Sequence, residues 1–175
     1  MLPQNVFSLL IKNSDKLKLQ DVLFKCAFQY ASLGLNVWFI SPQPFNQLPS
    51  NLIPPDKEVL QLITFLYLQD QADLLSHLNS VHLWTKYPQV IIVNDYEFYC
   101  GDSLRLNAFI IASMLDATLA CARRHHFKRA HFVTSFTREC TEFENIFCMY
   151  FRKILSYDDN EDDLLQLIKD DVLLK

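Results

Sequence analysis

Glycine is almost missing from this chain. Gly34 and Gly101 are the only two in 175 residues, where average usage would give about a dozen. Glycine lets a backbone wrap closely around a phosphate, so this scarcity argues against any phosphate-cradling loop. No G-x-S-x-G nucleophile elbow is present either. The five cysteines, at 26, 100, 121, 140 and 148, form no C-x-x-C pair and share no metal-ligand spacing with histidine. They read as reduced thiols that mostly fill a core. The longest apolar runs, "QVIIV" and "NAFIIASMLDATLACA", read as too short or too interrupted to span a bilayer. The first residues, "MLPQNVFSLLIKNSD", lack the basic start and small-residue cleavage site of a signal peptide. An excess of positive charge is absent too. The formal net charge is −4, which gives no overall attraction to nucleic acid.

What is present is enough for a folded core. Half of the residues are hydrophobic, and a chain of this length is expected to form one domain. "NVFSLLI", "NVWFIS", "LQLITFLYL", "PQVIIVND" and "RAHFVTS" read as strands. The segment "PQVIIVND" is apolar without alternation, as a central parallel strand covered on both faces should be. Helices are expected from about Lys18 to Leu33, over "DQADLLSHLNSVHLW", and from about Ser103 to His126. Ser14 or Asp15 is the expected N-cap of the first helix, and Gly34 suits the position just past its end. Five prolines make "PQPFNQLPSNLIPPD" a loop. Alternating strands and helices predict an α/β fold with a mainly parallel sheet flanked by helices. The end of the chain reads as a β-hairpin, "FRKILSY…LLQLIKDDVLLK" turning at "DDNEDD", with a terminal helix from Asp162 as the alternative.

The strand, turn, helix and strand between Ser8 and Ser41 form the frame of a phosphate-binding loop. Such a loop needs G-x-x-x-x-G-K-[ST], because backbone N–H groups cradle the phosphates, the lysine reaches them and the hydroxyl holds magnesium. The helix pattern "DVLFKCA" sets the register. Asn13 and Lys18 then stand where the glycines belong, Leu19 where the lysine belongs and Gln20 where the hydroxyl belongs. Sliding by one residue puts Lys18 in the lysine place but still supplies no hydroxyl. The aspartate expected at the end of the following buried strand, which helps hold magnesium, is replaced by Asn94. Asp95 and Glu97 follow it. The cofactor expectation is therefore none.

In their order along the chain, "LKLQDVLFKCAFQYASLGLNVWFISPQPFNQLP", "LQLITFLYLQDQADLLSHLNSVH" and "VIIVNDYEFY" resemble the RecA-like recombinase-paralogue class. They look most like the subunit that associates with the SWIM-domain zinc-binding protein of Shu-type complexes. Ile40, Pro44, Pro49, Leu60, Ile63, Phe65, Tyr67, Glu97 and Tyr99 stand at its pattern positions. The "FIIASMLDATLACARR" helix and the "AHFVTS" strand extend the likeness over nearly the whole chain. The resemblance implies a RecA-like P-loop-NTPase fold with a degenerate nucleotide site, used without catalysis. It further implies a nuclear role in homologous-recombination DNA repair, supporting a recombinase filament on single-stranded DNA. The implied partners are a SWIM-domain zinc-binding protein and a RecA-like recombinase or its paralogues, with no membrane. An alternative is a RecA-like scaffold of another assembly, such as the Elongator tRNA-modification subcomplex. A third is a small-molecule α/β enzyme using Asp95, Glu97 and His131.

Other residues are candidates for contacts. Arg123, Arg124, Lys128 and Arg129 form a basic run suited to a phosphate backbone, though cations at a helix end also complement its dipole. His125 and His126 lack a third ligand at metal spacing. Phe24 and Ala27 make an F-x-x-A pattern that either packs a core or docks a recombinase. Phe45 and Leu48 in the proline-rich loop, and Phe147 and Met149 in "FENIFCMYF", are the apolar candidates for a partner surface.

Overall fold

The fold is described from a computed structural model, over residues 4–45, 48–49, 52–101, 103–125, 129–137, 141–157 and 161–173. Six strands form one all-parallel sheet: β1 (Val6–Lys12), β2 (Val37–Ser41), β3 (Ile63–Tyr67), β4 (Val90–Val93), β5 (Ala130–Phe136) and β6 (Lys153–Ser156). Among the described residues, seven α-helices connect or follow them, with a 3-10 turn at Val81–Leu83. They are α1 (Lys16–Ser32), α2 (Lys57–Leu60), α3 (Gln71–Asn79), α4 (Tyr96–Tyr99), α5 (Leu104–Arg124), α6 (Thr141–Tyr150) and α7 (Glu161–Leu173).

The strand order is β3-β2-β4-β5-β1-β6. The chain runs from β1 to β3 toward one edge, then from β3 through to β6 toward the other. A constant right-handed crossover puts the connections of these two runs on opposite faces, and the packing follows that rule. Leu9, Ile11, Val37, Phe39 and Val133 meet α1, α2 and α7 on one face. Val6, Leu10, Ile91, Val93 and Phe132 meet α3, α5 and α6 on the other. Strand side chains alternate between faces, so β1, β4 and β5 feed both cores, which is why β4 is apolar and buried at all four positions. This order differs from both common doubly wound orders, in which the first strand lies inside the sheet beside the second. Here β1 lies between β5 and β6.

Asp15 is the N-cap of α1, as its sequence position suggests. Gly34, at φ +82°, takes the left-handed position after the helix. Helix α1 buries nine residues, more than one stripe, because it packs on both the sheet and α7, which shares its face. Its Phe24 (0% exposed) sits in a ring cluster with Phe28, Phe39, Phe45 and Phe65. Ala27 is equally buried, so the F-x-x-A pattern serves the core. The hairpin reading of the terminus is corrected. Its first arm is β6, but β6 joins β1 in parallel, and the second arm is the helix α7. The spacing of Leu164, Leu167 and Ile168 is helical and seats α7 against the α1 face. Helix α5 falls within the span expected for it, about Ser103 to His126, but its apolar run is not too short: by length and composition alone the helix is long and apolar enough to cross a membrane, a test that the core helix of a folded domain also passes. In the fold nine of its residues are buried, Ile110, Met114 and Cys121 among them. Burial pushes the Cys121 thiol pKa up to about 12, which leaves it an inert core group.

The segment "FENIFCMYF" divides between roles. Phe147 is 1% exposed and packs on Phe136, Phe143 and Phe151, which corrects its place as a surface candidate. Met149 is 67% exposed. Accordingly, Phe147→Ala should cost about 3–5 kcal/mol of folding stability, whereas Met149→Ser should stay within about 0.5 kcal/mol, both read from urea unfolding midpoints.

Candidate functional site

The carboxyl ends of β2 and β4 are where this topology opens a crevice. The chain leaves β2 toward the α1 face and β4 toward the α5 face, and adjacent strands that diverge in this way leave a ligand-sized gap. An open cleft of about 530 Å³ lies there, lined by Lys16 and Gln20 of α1, Ser41 at the end of β2 with residues 42–45 beyond it, Asn94 and Asp95 after β4, and Phe98 of α4. Its volume is in the usual range of small-molecule sites, about 300–1,000 Å³.

The turn from β1 to α1 is only Asn13, Ser14 and Asp15. Lys16, Leu17 and Lys18, the last residues of a would-be phosphate loop, already belong to the first helical turn. The side chain of Asp15 accepts from the backbone N–H of Leu17 (2.9 Å) and Lys18 (3.3 Å). A helix N-terminus attracts anions through its free N–H groups and its dipole. Here the chain's own carboxylate takes that place. Asn13 tightens the turn by accepting from Asp15 N–H at 2.7 Å and donating its amide to the Tyr157 carbonyl. Leu19, in the lysine register, is 2% exposed and points into the core. Gln20, in the hydroxyl register, lines the cleft, and Lys18 is exposed.

Across the crevice, Asn94 is 8% exposed and donates to Ser41 Oγ at a long 3.5 Å. Asp95 adopts φ +56°, the one non-glycine residue with positive φ among the described residues. Asp tolerates this conformation better than most residues. Its carboxylate meets Lys16 Nζ at 2.7 Å, a partly exposed pair worth roughly 0–1 kcal/mol. Glu97 accepts from Thr137 N–H at 2.8 Å and from its hydroxyl, tying the end of β4 to the end of β5. The buried Tyr99 donates to the Leu68 carbonyl at 2.8 Å. Burial, with the Asp95, Asp70 and Asp73 carboxylates nearby, raises its pKa, so it remains a donor.

The other candidates lie elsewhere. His131, the second residue of β5, is in register with Val90 at the opposite end of β4. By strand rise it is roughly 15 Å from Asp95, so Asp95, Glu97 and His131 do not converge. His131 instead packs among Phe7, Tyr30 and Asp171. Arg123, Arg124 and Arg129 are exposed at that same amino-terminal end of the sheet, and Lys128 lies outside the described residues. The Arg124 guanidinium lies 4.9 Å from the Tyr87 ring centroid, and the exposed Lys86 precedes that ring. Neither Lys86 nor Tyr87 was marked by the basic run, which is distant in sequence. Phe45 is half-buried against Phe24, Phe39 and Phe65. Leu48 is 37% exposed, and Ile53 is 90% exposed. Among the described residues, no group of three or more His, Cys, Asp or Glu side chains could hold a metal ion. In comparisons with known proteins, no family model and no curated protein matches the chain.

Removing the Asp15 carboxylate frees two helix N–H groups without touching the core. Asp15→Ala should lower stability by about 1 kcal/mol and Asp15→Asn by only a few tenths, measured as shifts in urea midpoint.

Proposed function

We propose that this chain is a non-catalytic, RecA-like subunit of a Shu-type recombinase-mediator complex. In this reading it works in the nucleus, where it supports the recombinase filament on single-stranded DNA during homologous recombination. The observation that carries the reading is the closed start of α1. A helix whose first turn occupies the loop positions, capped by its own Asp15 carboxylate, keeps the frame of a nucleotide site and removes its phosphate-binding groups. The ordered likeness of "DVLFKCAFQYASLGLNVWFIS", "LQLITFLYL" and "VIIVNDYEFY" to the RecA-like paralogues supports the same family reading. The six-stranded parallel sheet is compatible with it.

On this account the domain acts as a platform. Leu48, Ile53 and Met149 are exposed apolar residues available to a SWIM-domain zinc-binding partner or a recombinase. The exposed Arg123, Arg124 and Arg129 offer contacts to a DNA backbone at the opposite end of the sheet from the cleft.

Affinity purification of the full chain from nuclear extract, followed by mass spectrometry, tests the assignment. A SWIM-domain zinc-binding protein and a RecA-like recombinase should co-purify in stoichiometric amounts. Recovery of two other RecA-like subunits in a ring would replace this reading with the tRNA-modification scaffold.

A further inference from the structure

The cleft beside β2 and β4 holds one polar side chain whose hydrogen-bonding capacity is poorly used. Asn94 is 8% exposed and lines the cleft; its backbone N–H donates to the Ile40 carbonyl at 2.9 Å, and among the described residues the one hydrogen bond of its side chain is the 3.5 Å contact to Ser41 Oγ. That distance is at the weak limit of a hydrogen bond. Neither amide atom of Asn94 is both buried and without a partner, so its unused capacity faces the open cleft, where the polar edge of a ligand can take the place of water. Two further amides, Gln20 and Gln43, line the same cleft, and so do the rings of Phe45 and Phe98. Phe45 is backed by Phe24, Phe39 and Phe65, so its wall is fixed. Phe98 is 49% exposed and packs edge-on against Tyr99 at 5.8 Å.

The charges select against anions. The one lining cation, Lys16, is already paired with Asp95 at 2.7 Å, and the Asp15 carboxylate occupies the helix N-terminus beside it. A ligand suited to this cleft therefore carries no phosphate in it. It has adjacent donor and acceptor atoms for the amides and a flat ring for the aromatic walls. A nucleobase has these features: Asn and Gln amides pair with its donor–acceptor edge, and aromatic side chains stack on its face.

We propose that the cleft is a nucleobase-binding site that excludes phosphate, with Asn94, Gln20 and Gln43 reading the base edge. The proposal rests on the closed phosphate site and adds a ligand class to it. The base comes either from a free nucleoside or from an unstacked nucleotide of a single strand, and competition separates the two.

The test titrates the full chain with each of the four nucleosides and with AMP, following NMR shifts and heats of binding. At least one nucleoside should bind saturably in the micromolar-to-millimolar range, with AMP no tighter than adenosine. Asn94→Leu should weaken binding about tenfold, and Gln43→Ala, at an exposed position, several-fold, with circular dichroism unchanged for the latter. A single-stranded oligonucleotide that displaces the nucleoside, while its abasic counterpart does not, assigns the base to a strand; failure of both to displace it assigns a free nucleoside. Absence of saturable binding by any nucleoside, or binding unaffected by Gln43→Ala and Asn94→Leu, overturns the proposal alone. AMP binding tenfold tighter than adenosine overturns the closed phosphate site as well.

Discussion

The carboxylate of Asp15 on the first N–H groups of α1 is the interaction around which this end of the molecule is organised. A helix N-terminus at the carboxyl edge of a parallel sheet is an anion site unless something fills it. Filling it with a side chain from the preceding turn stabilises the helix by about 1 kcal/mol and removes the need for a glycine-rich loop. The three-residue turn, the early start of the helix and the inward Leu19 all follow from that substitution. Lys16, in the same first turn, reaches across the crevice to pair with Asp95 at 2.7 Å.

The rest of the frame has reasons of its own to persist. β1, α1 and β2 contribute to the core on the α1 face, and β1 and β2 also feed the core on the other face. Glu97 and Thr137 join the ends of β4 and β5, and Tyr99 reaches back to Leu68 after β3. These contacts hold the carboxyl edge in shape independently of any ligand. A platform function, as proposed, requires only that shape and its exposed residues.

Much of this was legible in the sequence because the signals were local. The buried β4 run, the Asp15 cap and the Gly34 terminus each depend on a few neighbouring residues. The misreadings arose where tertiary packing decides. Phe147 and Met149 are two residues apart, yet helical geometry turns one into the core and leaves the other exposed. The terminal segment has apolar residues that fit either a strand or a helix, and the α1 face that receives α7 cannot be seen from its own sequence. Lys16, Phe98 and the half-used amide of Asn94 were invisible as a group, since the cleft that gathers them depends on the strand order.

With Asp15 on its first N–H groups, the start of α1 is proposed to be closed to phosphate. Calorimetric titration of the purified full chain with magnesium-ATP tests it most directly. No saturable heat is expected at micromolar ligand, equivalent to a binding free energy weaker than about −8 kcal/mol. Micromolar or tighter magnesium-dependent binding would contradict it.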